Sequence, residues 1–197
     1  MRRFAGVGGG LGVLGLSAVM TVLGGGTANA ADGSATPPAA AAGESCWYAV
    51  DTGESLCVKT GEDLVAAVAE QKGVRLVIPD PETVSGVEVD ARRDAALVPA
   101  GIQTTVALST IYDDNGYGGG SYTMSTSSGS CATSAYGFTD IGPLGWYGRV
   151  SSFTSYGTCK TALFTGTNYS GSSTGYVTSQ TSMGSLNDLA KSWRVSG

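Results

Sequence analysis

Apolar positions between residues 44 and 80 change their spacing along the chain and predict a small module of strand, strand, helix and strand. The runs Trp47–Val50 and Ser55–Val58 flank a turn signal and are typical of the two strands of a hairpin. Thr60 predicts the N-cap of a helix, and Gly73 predicts its end. The run Val74–Ile78 predicts the last strand. The apolar face of the helix is expected to consist of Leu64, Val65 and Val68.

The segments around this module have a different composition. Residues 1–30 follow the pattern of a signal peptide, with Arg2 and Arg3 before a mostly apolar, uncharged stretch and an Ala-Asn-Ala cleavage site at the end. Residues 31–43, rich in alanine, predict a disordered leader, and residues 81–101 predict a connector. We therefore expect a secreted, extracellular protein without stable membrane insertion.

An internal repeat organises residues 102–197. Tyr112–Gly119 reads YDDNGYGG and Phe164–Gly171 reads FTGTNYSG, so both segments place two aromatic residues and a glycine at the same spacing. In the second copy Gly171 precedes Ser192 by 21 positions, whereas the corresponding interval in the first copy, from Gly119 to Ser152, is 33. The extra residues of the first copy are assigned to the polar stretch at 125–136.

Each copy of the repeat predicts a folded β-hairpin. Strand-forming residues interrupted by glycine at short intervals favour strands over helices. Gly119 and Gly171 are expected at positive φ, where a Cβ is costly, and the aromatic pair of each copy is expected to pack across the fold. Ser152 and Ser192 can hydrogen-bond the folded hairpins from another strand. About four strands per copy would then stack as a two-copy sandwich.

Composition restricts the function of the chain. It has no histidine, which excludes Ser-His-Asp and Cys-His catalysis, and we predict that it has no enzymatic activity. We also predict that the protein is a monomer. The formal net charge of −5 argues against nucleic acid as a partner, because phosphate is neutralised by Lys and Arg. Residues 31–103 carry twelve acidic and five basic side chains, whereas residues 104–197 carry four of each. The two parts therefore differ physically.

The four cysteines predict disulfides in an exported protein. Three connectivities are open in principle. The pairing Cys46–Cys57 crosses the predicted hairpin, and Cys131–Cys159 then remains within the second part and would hold the 125–136 insertion in place. A metal bound by four thiolates is disfavoured, because no two cysteines have the C-x₂-C spacing.

The repeated pattern Y/F-x-x-x-x-Y/F-x-G, followed in each copy by a serine, resembles the Greek-key motif of the βγ-crystallins. The resemblance covers residues 102–197, and export and disulfides make the chain similar to secreted bacterial βγ-crystallin-like proteins. That group includes crystallin-fold metalloproteinase inhibitors and killer-toxin-like proteins. The resemblance implies a mainly β protein, a two-motif Greek-key sandwich that often binds Ca²⁺, here preceded by the small disulfide-stapled hairpin and helix module at 44–80.

The family's calcium motif is N/D-N/D-x-x-S/T-S, and both copies depart from it. In the first copy Tyr147 and Gly148 replace the two acidic or amide residues, while Ser151 remains. In the second copy the acidic and amide residues remain, but Lys191 stands where the hydroxyl ligand belongs. An ammonium group repels a cation and offers no lone pair.

In the family each ion is held between the two motifs, which leaves one weak Ca²⁺ site in this chain as the expectation. Ser151 would supply it together with Asn187 or Asp188, and a backbone carbonyl near Asp113 or Thr165 would complete it. The alternative is that these residues only form turns, in which Asn, Asp and Ser are common.

Three function hypotheses follow from the resemblance. The first is a secreted, non-enzymatic binding or structural module. The second is an inhibitor whose partner is an extracellular protease, with the disulfide-tied 125–136 loop as its contact surface. The third is a killer-toxin-like antimicrobial protein. The net charge of zero over residues 104–197 argues against it, because membrane-active proteins are usually cationic.

Overall fold

A computed structural model describes residues 36–79 and 102–197. The predicted signal peptide at 1–30, the start of the predicted leader and the predicted connector at 81–101 lie outside the described residues. The elements in chain order are β1 Glu44–Ala49, β2 Ser55–Lys59, α1 Leu64–Lys72, β3 Val74–Val77, β4 Gln103–Tyr112, β5 Ser121–Thr126, β6 Tyr136–Phe138, β7 Ser152–Ser155, β8 Lys160–Phe164, β9 Ser179–Gln180, the 3₁₀ helix Gly184–Leu186, and β10 Ser192–Ser196.

Two sheets carry the fold. The larger has the order β2-β1-β5-β4-β7-β9, with β3 pairing the first half of β4. The smaller has the order β6-β10-β8. The two copies of the repeat exchange strands, because β9 of the second copy pairs with β7 of the first, and β6 of the first copy pairs with β10 of the second. The predicted mainly β, Greek-key arrangement is confirmed, and this exchange fixes the position of one copy against the other.

The largest core cluster combines side chains from both sheets and both copies. Phe153 and Trp193, which occupy corresponding positions in the repeat, are both fully buried in it. Phe138 packs its ring against Trp193 at a centroid distance of 5.8 Å. Burial of such large aromatic side chains provides most of the hydrophobic stabilisation available to a β-sandwich of this size.

The first three strands extend the larger sheet instead of forming a sheet of their own. β1 runs parallel to β5, with Cys46 opposite Tyr122, and β3 runs parallel to β4, with Leu76 opposite Thr105. The predicted order of strand, strand, helix and strand is present in the structure. Segments 44–79 and 102–197, which differ in composition, therefore share one hydrogen-bonded sheet.

Helix α1 differs from its prediction at the start. Its N-cap is Asp63, whose carboxylate accepts a hydrogen bond of 3.0 Å from the Ala66 amide, and not Thr60. A carboxylate at the helix start is also favoured by the helix dipole. Of the predicted apolar face, Val68 is fully buried, whereas Val65 is 37% exposed and is not part of the buried face.

A second core cluster lies beneath this helix. Trp47 and Val68 are both fully buried in it, with Leu64 packed partly against it. The indole Nε1 of Trp47 donates a 2.7 Å hydrogen bond to the Ser125 hydroxyl of β5, which also accepts from Thr105 at 2.8 Å. The paired hydroxyl groups satisfy the buried polar atoms on this part of the sheet.

The end of the segment predicted to be a disordered leader is held against the sandwich. Ala40 is only 4% exposed, and its amide donates to the Leu144 carbonyl at 2.8 Å. The Tyr122 hydroxyl donates to the Pro38 carbonyl at 3.2 Å. Local composition predicted disorder here because it reports nothing about a distant docking surface.

Both predicted disulfides are confirmed. Cys46 and Cys57 pair across the β1–β2 hairpin, and Cys131 pairs with Cys159, 28 positions later in the chain. The described residues contain no free cysteine. The second disulfide attaches the insertion between β5 and β6 to the chain that leads into β8.

The first folded hairpin has the predicted contacts. The rings of Tyr112 and Tyr117 pack at a centroid distance of 5.7 Å with an interplanar angle of 59°. The Ser152 hydroxyl accepts from the Tyr117 amide at 3.0 Å and donates to the Asp114 carbonyl at 2.6 Å. Gly119 has a φ of 75°.

The second hairpin repeats this geometry closely. Phe164 and Tyr169 pack at 5.8 Å and again at 59°. The Ser192 hydroxyl accepts from the Tyr169 amide at 3.0 Å and donates to the Gly166 carbonyl at 2.7 Å. The predicted alignment of the two copies is therefore confirmed by the contacts of each hairpin.

Adjacent glycines in the first hairpin allow a matched test of this geometry. A Cβ on Gly119 would lie 2.8 Å from the Asp114 carboxylate in a positive-φ conformation, whereas one on Gly118 would make only ordinary contacts, the nearest at 3.5 Å. Gly119→Ala should therefore lower the free energy of unfolding by about 1–3 kcal/mol. Gly118→Ala should cost less than about 1 kcal/mol. Denaturant unfolding measures both, and equal losses would contradict the motif role of Gly119.

Candidate functional site

The two repeats place Ser151 and Lys191 at corresponding backbone positions. The Ser151 amide donates to the Tyr112 carbonyl at 2.9 Å, and the Lys191 amide donates to the Phe164 carbonyl at 2.7 Å. Tyr112 and Phe164 are the first aromatic residues of their hairpins. The structure thus contains two corresponding positions beside the folded hairpins, and they carry a hydroxyl and an ammonium group respectively.

The turn that leads into β10 folds over Ser151. The Met183 amide donates to the Ser151 carbonyl at 2.9 Å, and the Asp188 amide donates to the Val150 carbonyl at 3.1 Å. Asn187, between these two contacts, is half-buried, and its side-chain oxygen Oδ1 is buried without a hydrogen-bond partner among the described residues. A buried acceptor without a partner is costly, so this oxygen is suited to bind a cation or a water molecule.

The remaining predicted ligands lie apart from this oxygen. Asp188 is exposed and adopts a left-handed conformation with φ 60°. The Thr165 hydroxyl accepts a 3.0 Å hydrogen bond from the Ser172 amide, and Thr165 lines the same pocket as Lys191. The backbone of the turn before β10 therefore contacts Val150 and Ser151, whereas Asp188 and Thr165 both line the pocket of Lys191.

The Asp113 carboxylate is already occupied by Arg149. The guanidinium binds it with two hydrogen bonds of 2.8 and 2.9 Å, from Nε and Nη2. Arg149 also donates to the carbonyls of Ala40 and Gly145 at 2.8 and 2.9 Å and lies 4.5 Å from the centre of the Trp146 ring. The Asp113 carboxylate is therefore engaged by an internal cation.

Sequence reasoning did not identify Arg149 as important. It occupies one of the two unspecified positions of the calcium motif, and its partner Asp113 is 36 residues away. The guanidinium introduces a positive charge two residues before Ser151. We expect this charge to weaken, though not to prevent, cation binding at the Ser151 site.

The Lys191 position opens into a pocket. The cavity has a volume of about 210 Å³ and is lined mainly by Tyr147, Thr165, Asp188, Leu189 and Lys191. Tyr147 is 45% exposed and Leu189 is 50% exposed. The position that the sequence assigns to a non-functional calcium site is therefore a surface pocket with an apolar wall.

A second region of interest is the insertion between β5 and β6. The Asp51 carboxylate, in the β1–β2 turn, accepts from the amide and hydroxyl of Ser127 at 2.8 and 2.5 Å and from those of Ser128 at 3.1 and 3.2 Å. The Gly197 amide donates to the Cys131 carbonyl at 2.7 Å. The exposed loop is thus held at several points, one of which is 76 residues away in sequence.

One group of potential metal ligands occurs elsewhere in the described residues. Glu44, Cys46 and Cys57 have their ligand atoms within 4.8 Å of one another. Both cysteines are joined in a disulfide. Since thiolate is the cysteine form that binds metal ions, this group does not form a metal site.

Solved βγ-crystallin domains match this chain, but no family model and no curated protein does. A domain from Flavobacterium johnsoniae is 24% identical with a TM-score of 0.35, over 45% of this chain and 92% of that domain. The N-terminal domain of Protein S is 20% identical with a TM-score of 0.37, over 45% and 94%. A clostrillin double mutant in complex with nickel is 15% identical with a TM-score of 0.34, over 46% and 98%.

These comparisons are too distant to bring a function to the chain. The fold of residues 102–197 is βγ-crystallin-like because both motifs have the aromatic pair, the positive-φ glycine and the serine contacts described above. Across residues 36–79 and 102–197, no helix is long and apolar enough to cross a membrane.

The Arg149 contacts give a test with a matched control. Arg149→Met keeps the length of the side chain but leaves the Asp113 carboxylate, only 20% exposed, without its charged partner. Unfolding in denaturant should show a loss on the order of 2–3 kcal/mol. Arg194→Met removes a guanidinium that lies over Tyr169 at 5.2 Å and should cost less than about 1 kcal/mol. Similar losses for both variants would show that the Asp113 contact contributes little.

The Asp51 contacts predict a pH dependence of the loop. Burial acts against ionisation of Asp51, but hydrogen bonds from Ser127 outweigh it, so the pKa of this carboxyl is lowered. Its contribution to stability is therefore fully present above the unfolded pKa of about 3.9 and is lost as the pH falls through the lower folded value. Protection of the Ser127 and Ser128 amides from exchange, expressed relative to the intrinsic rate at each pH, should fall in that acidic range. Asp51→Asn should lower this protection at neutral pH and match the natural chain below the folded pKa, and unchanged protection at neutral pH would rule out the anchoring role.

Proposed function

We propose that this chain is a secreted, non-enzymatic, crystallin-fold binding module that holds one Ca²⁺ between Ser151 and Asn187. The observation that carries the proposal is the Oδ1 atom of Asn187, buried without a partner in the turn that folds over Ser151. Amide, hydroxyl and backbone carbonyl oxygens are the hard ligands that Ca²⁺ prefers. Export is supported by the signal-peptide pattern and by the two disulfides.

The proposed ligands predict weak affinity. The Ser151 and Asn187 side chains carry no charge, Asp188 is exposed at the edge, and the Arg149 guanidinium is close in sequence. A low charge count places a site in the range of extracellular calcium modules, with a Kd on the order of 0.1–1 mM. The ion would then serve the stability of the module, by joining the turn before β10 to the start of β7.

Calcium titration tests the proposal on the full mature chain. A tenfold excess of Ca²⁺ over the Kd should stabilise the protein by about 1.4 kcal/mol, seen as a rise in the melting temperature and as a calorimetric binding signal. Asn187→Ala should abolish both. Lys191→Ser should raise the Ca²⁺ affinity by a small factor, because it removes a repulsive charge and adds a hydroxyl while Tyr147 and Gly148 still provide no acidic or amide ligand.

Asn168→Ala is the matched control, since Asn168 lies in the folded hairpin of the same repeat as Asn187 and also carries a side-chain amide. The quantity compared is the calcium-induced shift of each variant, so a loss of basal stability does not enter. If the shift persists in Asn187→Ala, the ion binds elsewhere. If the natural chain shows neither shift nor heat, the calcium function is wrong.

A second candidate function is inhibition of an extracellular metalloprotease through the loop at 127–135. The observation that favours it is the set of anchors on this exposed loop, namely the Asp51 carboxylate, the Cys131–Cys159 disulfide and the Gly197 amide. A loop held in one conformation loses less entropy on binding a protease. The killer-toxin-like alternative gains no support from charge, because residues 104–197 carry four acidic and four basic side chains.

Inhibition assays against secreted metalloproteases test this candidate. The natural chain should inhibit, and the double variant Cys131→Ser with Cys159→Ser should lose at least about tenfold in affinity, which corresponds to about 1.4 kcal/mol. Asp51→Asn should lose less, since the disulfide remains. Absence of inhibition by the natural chain, or equal inhibition by the double variant, would exclude the loop as an inhibitory surface.

A further inference from the structure

The pocket beside Lys191 has a charge that calcium chemistry does not explain. Lys191 is exposed, and none of its contacts within the described residues is an ion pair or a side-chain hydrogen bond. Its backbone amide donates a 2.7 Å hydrogen bond to the Phe164 carbonyl. The side chain therefore extends from a hydrogen-bonded backbone position directly before β10. An ammonium group without an ion-pair partner among residues 36–79 and 102–197 favours an anionic ligand.

The aromatic wall of the same pocket is held in place. The Tyr147 hydroxyl donates a 2.5 Å hydrogen bond to the Asp140 carboxylate, which also accepts from the Gly142 amide at 2.8 Å. The Tyr147 ring lies directly over Gly142, where a Cβ would come within 2.8 Å of the ring. Both contacts restrict the orientation of the exposed ring. Less conformational entropy is therefore lost when a ligand packs against its face.

The protonation states of this pair fit that arrangement. The hydrogen bond to Asp140 raises the pKa of the Tyr147 phenol, and the hydrogen bond from Tyr147 lowers the pKa of the Asp140 carboxyl. At neutral pH the phenol therefore donates and the carboxylate accepts. The contact that orients the ring persists across the physiological range.

The size and composition of the pocket limit the ligand. Its volume of about 210 Å³ is below the roughly 300 Å³ at which pockets for drug-sized ligands begin. Leu189 and Ala190 provide an aliphatic wall opposite the exposed edge, and Asp188 adds one negative charge. The Lys191 ammonium can pair with one anionic group, and the Asp188 carboxylate in the same lining disfavours a ligand with a second negative charge.

We infer that this pocket binds a monocarboxylate with an apolar substituent of about one amino-acid side chain. The carboxylate pairs with the Lys191 ammonium, and the apolar group packs between Tyr147 and Leu189. Two sources have this chemistry, a small free carboxylate and the C-terminal residue of a polypeptide. The pocket includes Asp188, which also lies at the edge of the proposed calcium site, but the inference requires no bound Ca²⁺.

Heteronuclear NMR titration of the full mature chain with N-acetyl-leucine tests the inference. The amide signals of residues 148 and 188–191 should shift with a Kd in the millimolar range, and N-acetyl-leucinamide, which lacks the charge, should bind at least about tenfold more weakly. A short peptide ending in leucine, with a free or amidated terminus, separates the two sources. Tighter binding of the free-acid peptide than of N-acetyl-leucine indicates a polypeptide end, and the reverse indicates a small carboxylate.

Variants of charged residues complete the test. Lys191→Gln should weaken N-acetyl-leucine binding by about tenfold or more, and Asp188→Asn should strengthen it by removing a repulsive charge. Lys160→Gln, an exposed lysine at the start of β8, is the matched control and should leave binding unchanged. Equal binding of acid and amide, no shift of the pocket signals, or unchanged binding in Lys191→Gln would overturn the inference.

Discussion

The serine hydroxyl that closes each folded hairpin is the contact on which the arrangement of both sites depends. Ser152 and Ser192 each accept a hydrogen bond from the second aromatic residue of a hairpin and donate one to a carbonyl of the same hairpin. Both serines are fully buried, so neither atom can exchange its partners for water. Ser151 and Lys191 are the residues directly before these serines. Each therefore lies beside the first aromatic residue of its hairpin and donates its backbone amide to the carbonyl of that residue.

Arg149 adds a second constraint, which belongs to the first repeat alone. Its guanidinium joins the Asp113 carboxylate, the distant Ala40 carbonyl, the nearby Gly145 carbonyl and the face of Trp146. A fixed internal cation thus satisfies the acidic residue of the first hairpin, which would otherwise attract a metal ion. The same contacts hold Ala40 against the sandwich, so the segment before β1 is ordered by a residue more than a hundred positions away.

The two hairpins and both disulfides could be predicted from sequence because their determinants are local or symmetric. The aromatic pair of each copy is separated by four residues, and the two copies confirm one another. The parallel pairing of β1 with β5 has no such signal, since the alternation of a strand indicates its faces and not its neighbour. For the same reason the partners of Arg149 and Asp51, 36 and 76 residues away, could not be predicted. The N-cap was predicted at Thr60, whereas the structure has it at Asp63. Several polar residues precede the helix, and only Asp63 has the geometry of a cap.

The difference between the two sites then follows from single side chains on a shared frame. At the Ser151 position a hydroxyl lies under a turn that carries a buried amide oxygen without a partner, and both groups donate lone pairs. At the Lys191 position the corresponding side chain is an ammonium group, and Tyr147 and Gly148, which replace the acidic or amide residues of the motif, line the same pocket. A duplicated motif preserves the backbone that a site needs, because the backbone is fixed by the buried serine and the aromatic pair. The serine and the aromatic pair do not determine which side chains stand at the neighbouring positions. One copy can therefore have a hydroxyl at this position and the other the ammonium group of a lysine.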